Sequence, residues 1–249
     1  MKSSKISCGD KFFNTQGSEF IILENKGWNK VLIKFSDCAG FETITSRQKV
    51  LNGSINNPYH RSVYGVGYLG VGGYKIKSKG NNSRVSRVWH NILYRCYSDK
   101  STETLPTYND CTVHPDWHNF QVFAKWYEDN YVDGFELDKD LKIIGNRVYS
   151  ENACTFVPAA INTLLNACSK SRGDLPVGVT ADRNCKYRAR INMKGESVSI
   201  GTFLSKEEAS AAYCAVKNKY VSDMAEEYKY VIHPDVYKNL KNYDASSVV

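Results

Sequence analysis

The chain has no run of about 18 consecutive apolar residues, so no membrane-spanning helix is expected. Its opening, Met1 to Phe13, lacks the apolar stretch of a secretory signal, which makes a cytoplasmic location the expectation. Its eight cysteines include no C-x-x-C pair. Without a secretion signal they read as reduced, mostly buried small hydrophobes. Cys111 and His114 have a ligand-like gap, with Cys96 and His118 as further candidates. Structural zinc sites bring their ligands in close pairs, however, and Cys96 lies far upstream, so zinc is not expected. No internal repeat is evident. One more absence is local: between Asp182 and Glu196 stand Arg183, Lys186, Arg188, Arg190 and Lys194 with no acid among them.

The 249 residues suffice for one large domain or two to three small ones. A hydrophobic fraction of 42% and a charged fraction of 24% are ordinary for a globular chain. The net charge of +7, with a pI near 8.9, favours a polyanionic partner.

The acid-free run lies in the most strongly patterned stretch of the chain. From Lys186 to Met193, Lys186, Arg188, Arg190 and Asn192 alternate with Tyr187, Ala189, Ile191 and Met193. Successive strand side chains point to opposite faces, so one face is cationic and the other can pack. Val177, Val179 and Ala181 suggest a strand before it, and Lys194-Gly195-Glu196 a turn into a third, with Val198 and Ile200 inward. Ser205-Lys206-Glu207-Glu208 has the form of a capping box, followed at helical spacing by Ala209, Ala212, Tyr213, Val216 and Tyr220. A βββα unit with an exposed basic face is expected. Such a face suits DNA: the major groove admits a small sheet, Arg can bond guanine bidentately, and Asn can read adenine. The alternative is that a charged strand face is only a solvated one.

As a whole, GVTADRNCKYRARINMKGESVSIGTFLSKEEASAAYCAVKNKY resembles the ethylene-response-factor (Apetala-type) DNA-binding domain, in the form attached to phage-encoded HNH homing endonucleases. The likeness covers roughly the last third of the chain. It implies a three-stranded sheet in the major groove, with Arg183, Arg188 and Arg190 leading the contacts and Lys186, Asn192 and Lys194 beside them.

Upstream, residues 1–63 read as a small β-rich unit, with strands at Glu19–Leu23, Lys30–Phe35 and Phe41–Thr45. Residues 64–84 contain Gly65-Val66-Gly67-Tyr68-Leu69-Gly70, a formal G-x-G-x-x-G. Val71-Gly72-Gly73-Tyr74 follows and will not hold a helix, so a flexible basic linker is expected instead of a nucleotide site. Residues 85–168 form the next unit. Val85, Trp89, Ile92, Leu93 and Cys96 give one helical stripe, and Asp116 is placed to cap a second carrying Trp117, Phe120, Phe123, Ala124 and Tyr127.

After these helices, Leu137 to Ile143 reads as a strand, Gly145-Asn146 as a turn towards another, and Pro158 as the start of a helix holding Ile161, Leu164 and Leu165. Strand, turn, strand and helix resemble the ββα core of HNH nucleases. That resemblance places Asp138 at the acid position and Asn162 at the helix ligand, with Asn152 near the middle Asn. At the general-base position this chain has Lys139 in place of His, and an ordinary lysine stays protonated near neutral pH. Asp138, Asn152 and Asn162 would be oxygen ligands for Mg²⁺ if the finger cuts. The alternative is a relic in which the carboxylates are only surface groups. Residues 166–174 are expected to be a basic linker to the 169–230 domain, and 231–249 a tail that frays at its end, Asp244 to Val249.

The expectation is thus an α+β chain with an N-terminal β unit, a helical and HNH-like centre and a C-terminal βββα domain. Double-stranded DNA is its expected partner, with or without Mg²⁺-dependent nicking. A DNA-binding regulator and a module that binds another protein remain open.

Overall fold

The computed structural model describes residues 6–78, 81–165, 175–182 and 185–247. The chain is mixed α+β with antiparallel sheets and forms two compact units, Met1–Asp129 and Asn130–Val249.

In the first unit, β1 (Lys11–Phe13), β2 (Glu19–Asn25), β3 (Lys30–Phe35) and β4 (Glu42–Ser46) form a meander in chain order, as the alternating pattern suggests. Phe20, Ile22, Val31, Ile33 and Phe35 fill its core with Val50, which comes from α1 (Arg47–Asn52). At the β2–β3 tip, Gly27, Trp28 and Asn29 all have positive φ, and the Trp28 ring is fully exposed.

The glycine-rich segment is not a free linker. Tyr68 N–H donates to His118 O at 2.9 Å, and Phe120 N–H returns a bond to Tyr68 O at 2.9 Å. Gly67 lies against Trp89 and Leu93, and Gly70 against Asn119, where a β-carbon would collide. Here the glycines serve close packing, a requirement that the same letters in a solvated linker would not reveal. The segment leads through β5 (Lys77–Ser78) and β6 (Asn81–Asn82) to α2 (Arg84–Tyr97), whose first turn Ser83 caps by accepting Ser86 N–H at 3.2 Å. Then come α3 (Asp99–Thr104), β7 (Thr112–Val113) and α4 (Phe120–Asn130).

Trp89, Ile92, Leu93, Trp117, Phe120, Phe123 and Ala124 are buried, as the stripes predict. The cap differs from expectation. Pro115–His118 makes a 3-10 turn, and it is Asn119 whose side chain accepts Gln121 N–H at 3.0 Å. The proline turn displaces the start of α4 beyond the reach of Asp116.

In the second unit, β8 (Phe135–Asp138) pairs with β10 (Thr155–Pro158), and β9 (Val148–Tyr149) lies in the connection between them. The single-turn α5 (Ala159–Asn162) follows. Then β11 (Val179–Ala181), β12 (Tyr187–Met193) and β13 (Glu196–Phe203) form an antiparallel sheet in that order. The chain closes with α6 (Lys206–Glu227) and α7 (Pro234–Lys241).

Helix α6 belongs to two apolar clusters. Its first half puts Ala209 and Tyr213 under Val179, Ala189 and Ile191. Its second half puts Val221, Met224 and Ala225 against Leu141, Val157, Ile161 and the α7 residues Val236 and Leu240. This sharing explains two departures from the expected boundaries. The 85–168 segment is divided at Asp129/Asn130, because its ββα part packs on α6. Residues 231–247 are more than the expected tail: α7 is seated in the core, and at the end expected to fray Ala245 N–H bonds the Asn218 side chain at 2.8 Å. The expected linker at 166–174 lies outside the described residues.

Candidate nucleic-acid interface

The sheet of the second unit separates its two faces as the alternation predicts. Ala189 and Ile191 are buried against α6, while Arg190 and Asn192 are exposed. Directly paired residues share a face. Thr180 and Thr202 flank Arg188, Ser199 pairs with Arg190, and Ser197 pairs with Asn192. The outward face is therefore Arg188, Arg190 and Asn192 between hydroxyl side chains, an arrangement rich in hydrogen-bond donors.

A one-residue register shift makes this possible. Ala189 pairs with Gly201 but Arg190 with Ser199, leaving Ile200 as the extra residue. In an unbroken strand Val198 would share a face with Thr202. The bulge moves it to the Ile191 side and keeps Ser199 beside Arg190. The expected inward pair is modified accordingly: Ile200 packs partly on the cluster, while Val198 remains 41% exposed.

The cations are less uniform than their letters suggest. Arg188 Nη2 is 2.9 Å from Asp182 Oδ2, and Lys194 Nζ is 2.9 Å from Glu227 Oε2. Hydrogen bonding to Glu227 raises the Lys194 pKa and fixes its ammonium form. Asp182 borders the run in sequence and reaches Arg188 across a turn, whereas Glu227 arrives only on folding, from the far end of α6. Arg190 and Asn192 have no side-chain partner among the described residues, and Lys186 is exposed before β12. Arg183 lies outside the described residues. The face is held by Ser205, which accepts Glu208 N–H at 3.1 Å to start α6, and by Lys194 N–H donating to Tyr220 Oη at 3.0 Å. Glu208 completes the cap by accepting Leu204 N–H at 3.3 Å.

The ββα element has a different character. Asp138 Oδ1 accepts N–H bonds from Asp140 at 2.9 Å and Leu141 at 2.7 Å. This turn stops β8 at Asp138, where the sequence suggested a strand continuing to Ile143. Burial pushes the Asp138 pKa up, and the backbone bond from Leu141 opposes that shift. Lys139 Nζ is 2.7 Å from Asp140 Oδ2. An ammonium held in an ion pair has no lone pair with which to accept a proton. Asn146 Nδ2 bonds Lys139 O at 2.6 Å and Val148 O at 2.8 Å, closing the loop.

Asn162 Nδ2 donates to Glu136 Oε2 at 2.6 Å. Glu136 shares the Asp138 face of β8, a carboxylate the sequence reading passed over. Asn152 is exposed in the turn before β10. Among the described residues no group of three or more His, Cys, Asp or Glu side chains is placed to hold a metal ion. In the first unit, His114 Nδ1 accepts Asp116 N–H at 3.4 Å, and His118 Nε2 lies 3.4 Å from Tyr97 Oη, so both rings have partners other than cysteine.

Comparison of the chain with protein-family models, characterised proteins and solved structures returned no match. Among the described residues, no helix is long and apolar enough to cross a membrane.

Proposed function

We propose that the chain is a double-stranded DNA-binding protein that lays the outer face of β11–β13 against the major groove. The observation that carries this reading is the line Arg188–Arg190–Asn192, bordered by threonine and serine hydroxyls on the neighbouring strands. Alternate residues on a strand step about 6.6 Å, close to two base-pair rises of about 3.4 Å. Arg190 and Asn192 can therefore address bases two steps apart, while Lys186 and the hydroxyls bond phosphates.

The ββα element fits a scaffold better than a cutting centre, since Lys139 is tied to Asp140 and Asp138 secures a turn. A DNA-binding regulator is thus the preferred form of the proposal. A Mg²⁺-dependent nuclease is the second reading, favoured by the bond that brings Asn162 to the face of Glu136 and Asp138. Magnesium would take oxygen ligands from Asp138, Asn152 and Asn162.

The deciding experiment is fluorescence anisotropy of labelled duplex pools over a salt series, beside a plasmid cleavage assay with Mg²⁺. Affinity that falls steeply with salt supports the DNA reading. Absent or salt-insensitive binding rejects it and turns attention to a protein partner. Metal-dependent nicking lost in Asp138→Asn would replace the regulator by the nuclease.

A further inference from the structure

Lys217 sits in the middle of α6 with only 9% of its surface exposed. Its ammonium donates to Leu164 O at 2.6 Å, and no carboxylate pairs with it among the described residues. An ammonium has three N–H donors, so two of them lack a partner among the described residues. Burying a charge without a counter-charge is costly, and burial alone pulls this lysine below the ordinary value of 10.5.

The side chain lines a cavity of about 1120 Å³. This volume is ample for a small ligand, whose sites commonly span about 300–1,000 Å³. Leu164, Tyr213, Tyr220 and Met224 give the walls apolar and aromatic surface around Lys217. Among the described residues no aspartate or glutamate lines it. The walls would stack or cover a flat apolar group, while Lys217 supplies a positive charge.

We infer that this cavity binds a small organic anion with a flat apolar body, such as an aryl phosphate or aryl carboxylate, whose charged end meets the Lys217 ammonium. The ligand supplies the counter-charge that the fold withholds, and no covalent step is involved. The inference does not rest on DNA binding, and its test contains no DNA.

The probe is 2-naphthyl phosphate, with uncharged 2-naphthol as control, followed by naphthyl fluorescence and calorimetry on the full chain. The phosphate should bind at least about tenfold more tightly than the naphthol, as one charged hydrogen bond implies. Lys217→Met keeps the length of the side chain and removes the charge, so it should abolish that preference. Ala160→Trp, at an exposed position on the cavity lining, should weaken both probes while retaining Lys217. Equal binding of the two probes, no binding of either, or a preference surviving Lys217→Met would overturn the inference. If Lys217→Met fails to fold, unchanged phosphate binding by Ala160→Trp overturns it instead.

Discussion

Arg188 is held by Asp182 at 2.9 Å, whereas Arg190, two residues along the same face of β12, has no acidic partner among the described residues. One guanidinium must leave an ion pair before it meets DNA, and the other is already available. Arg190→Ala should therefore cost more duplex affinity than Arg188→Ala. A lost bidentate base contact is worth about 1–3 kcal/mol, or roughly 5- to 150-fold in Kd. Because Arg190 is exposed, its removal should shift stability by no more than about 0.5 kcal/mol. Anisotropy titrations and thermal melts of both variants measure this. Equal losses, or a large drop in Tm, would show that the face has been misassigned.

Asp182→Asn tests the same pair from its acidic side. Removing the carboxylate frees Arg188 and deletes a negative charge beside the proposed DNA-binding face. Non-specific duplex binding at low salt should tighten, and the slope of log K against log salt should steepen by about one unit if Arg188 then reaches a phosphate. Weaker binding would mean that the ion pair positions Arg188 productively.

Gly178, which leads into β11, predicts a stability effect on the packed side of the sheet. Its φ is +74°, and a β-carbon there would run into the Tyr213 ring and approach Arg190 O at 2.8 Å. Gly178→Ala combines left-handed strain with overpacking, together about 2–4 kcal/mol. Urea unfolding should show this as a lower midpoint with an unchanged m-value. A loss below about 1 kcal/mol would mean that Tyr213 moves aside readily.

The sheet and its helix were legible because strand alternation and the Ser205–Glu208 cap are local signals, confined to neighbouring residues. What stayed hidden was parity and distance. Phe203 and Val198 both lie on the Ile191 side although one number is odd and the other even, and only the extra residue Ile200 reconciles them. Glu227 reaches Lys194 because α6 returns along the sheet, a fact that no window of sequence contains. The same helix hid the architecture of the second unit. Its Ala209–Tyr213 face and its Val221–Ala225 face serve different clusters, so a single amphipathic stripe could not reveal that the ββα and βββα elements share one core. Glycines of residues 64–74 looked like solvated linker, since their letters do not say whether Trp89 or water stands opposite.

Asp138 separates the structural and catalytic readings of the ββα element, and Asp138→Asn is the informative change. Asparagine retains an oxygen to accept the Asp140 and Leu141 N–H bonds, so the turn should persist. Burial raises the folded pKa of Asp138 above its ordinary value of 3.8, so the folded state holds this proton more tightly than the unfolded state. The resulting stabilisation is fully present below 3.8 and is lost as pH rises through the elevated folded value. Wild type should thus gain on Asp138→Asn as pH falls towards 3.8, and the variant should be at least as stable at pH 7. Thermal melts between pH 3.5 and 7 measure this difference. If the variant instead loses stability at pH 7, the carboxylate is held charged in the fold by a stabilising partner, as a metal ligand would be. Mg²⁺ should then raise the Tm of the wild type and leave the variant unchanged.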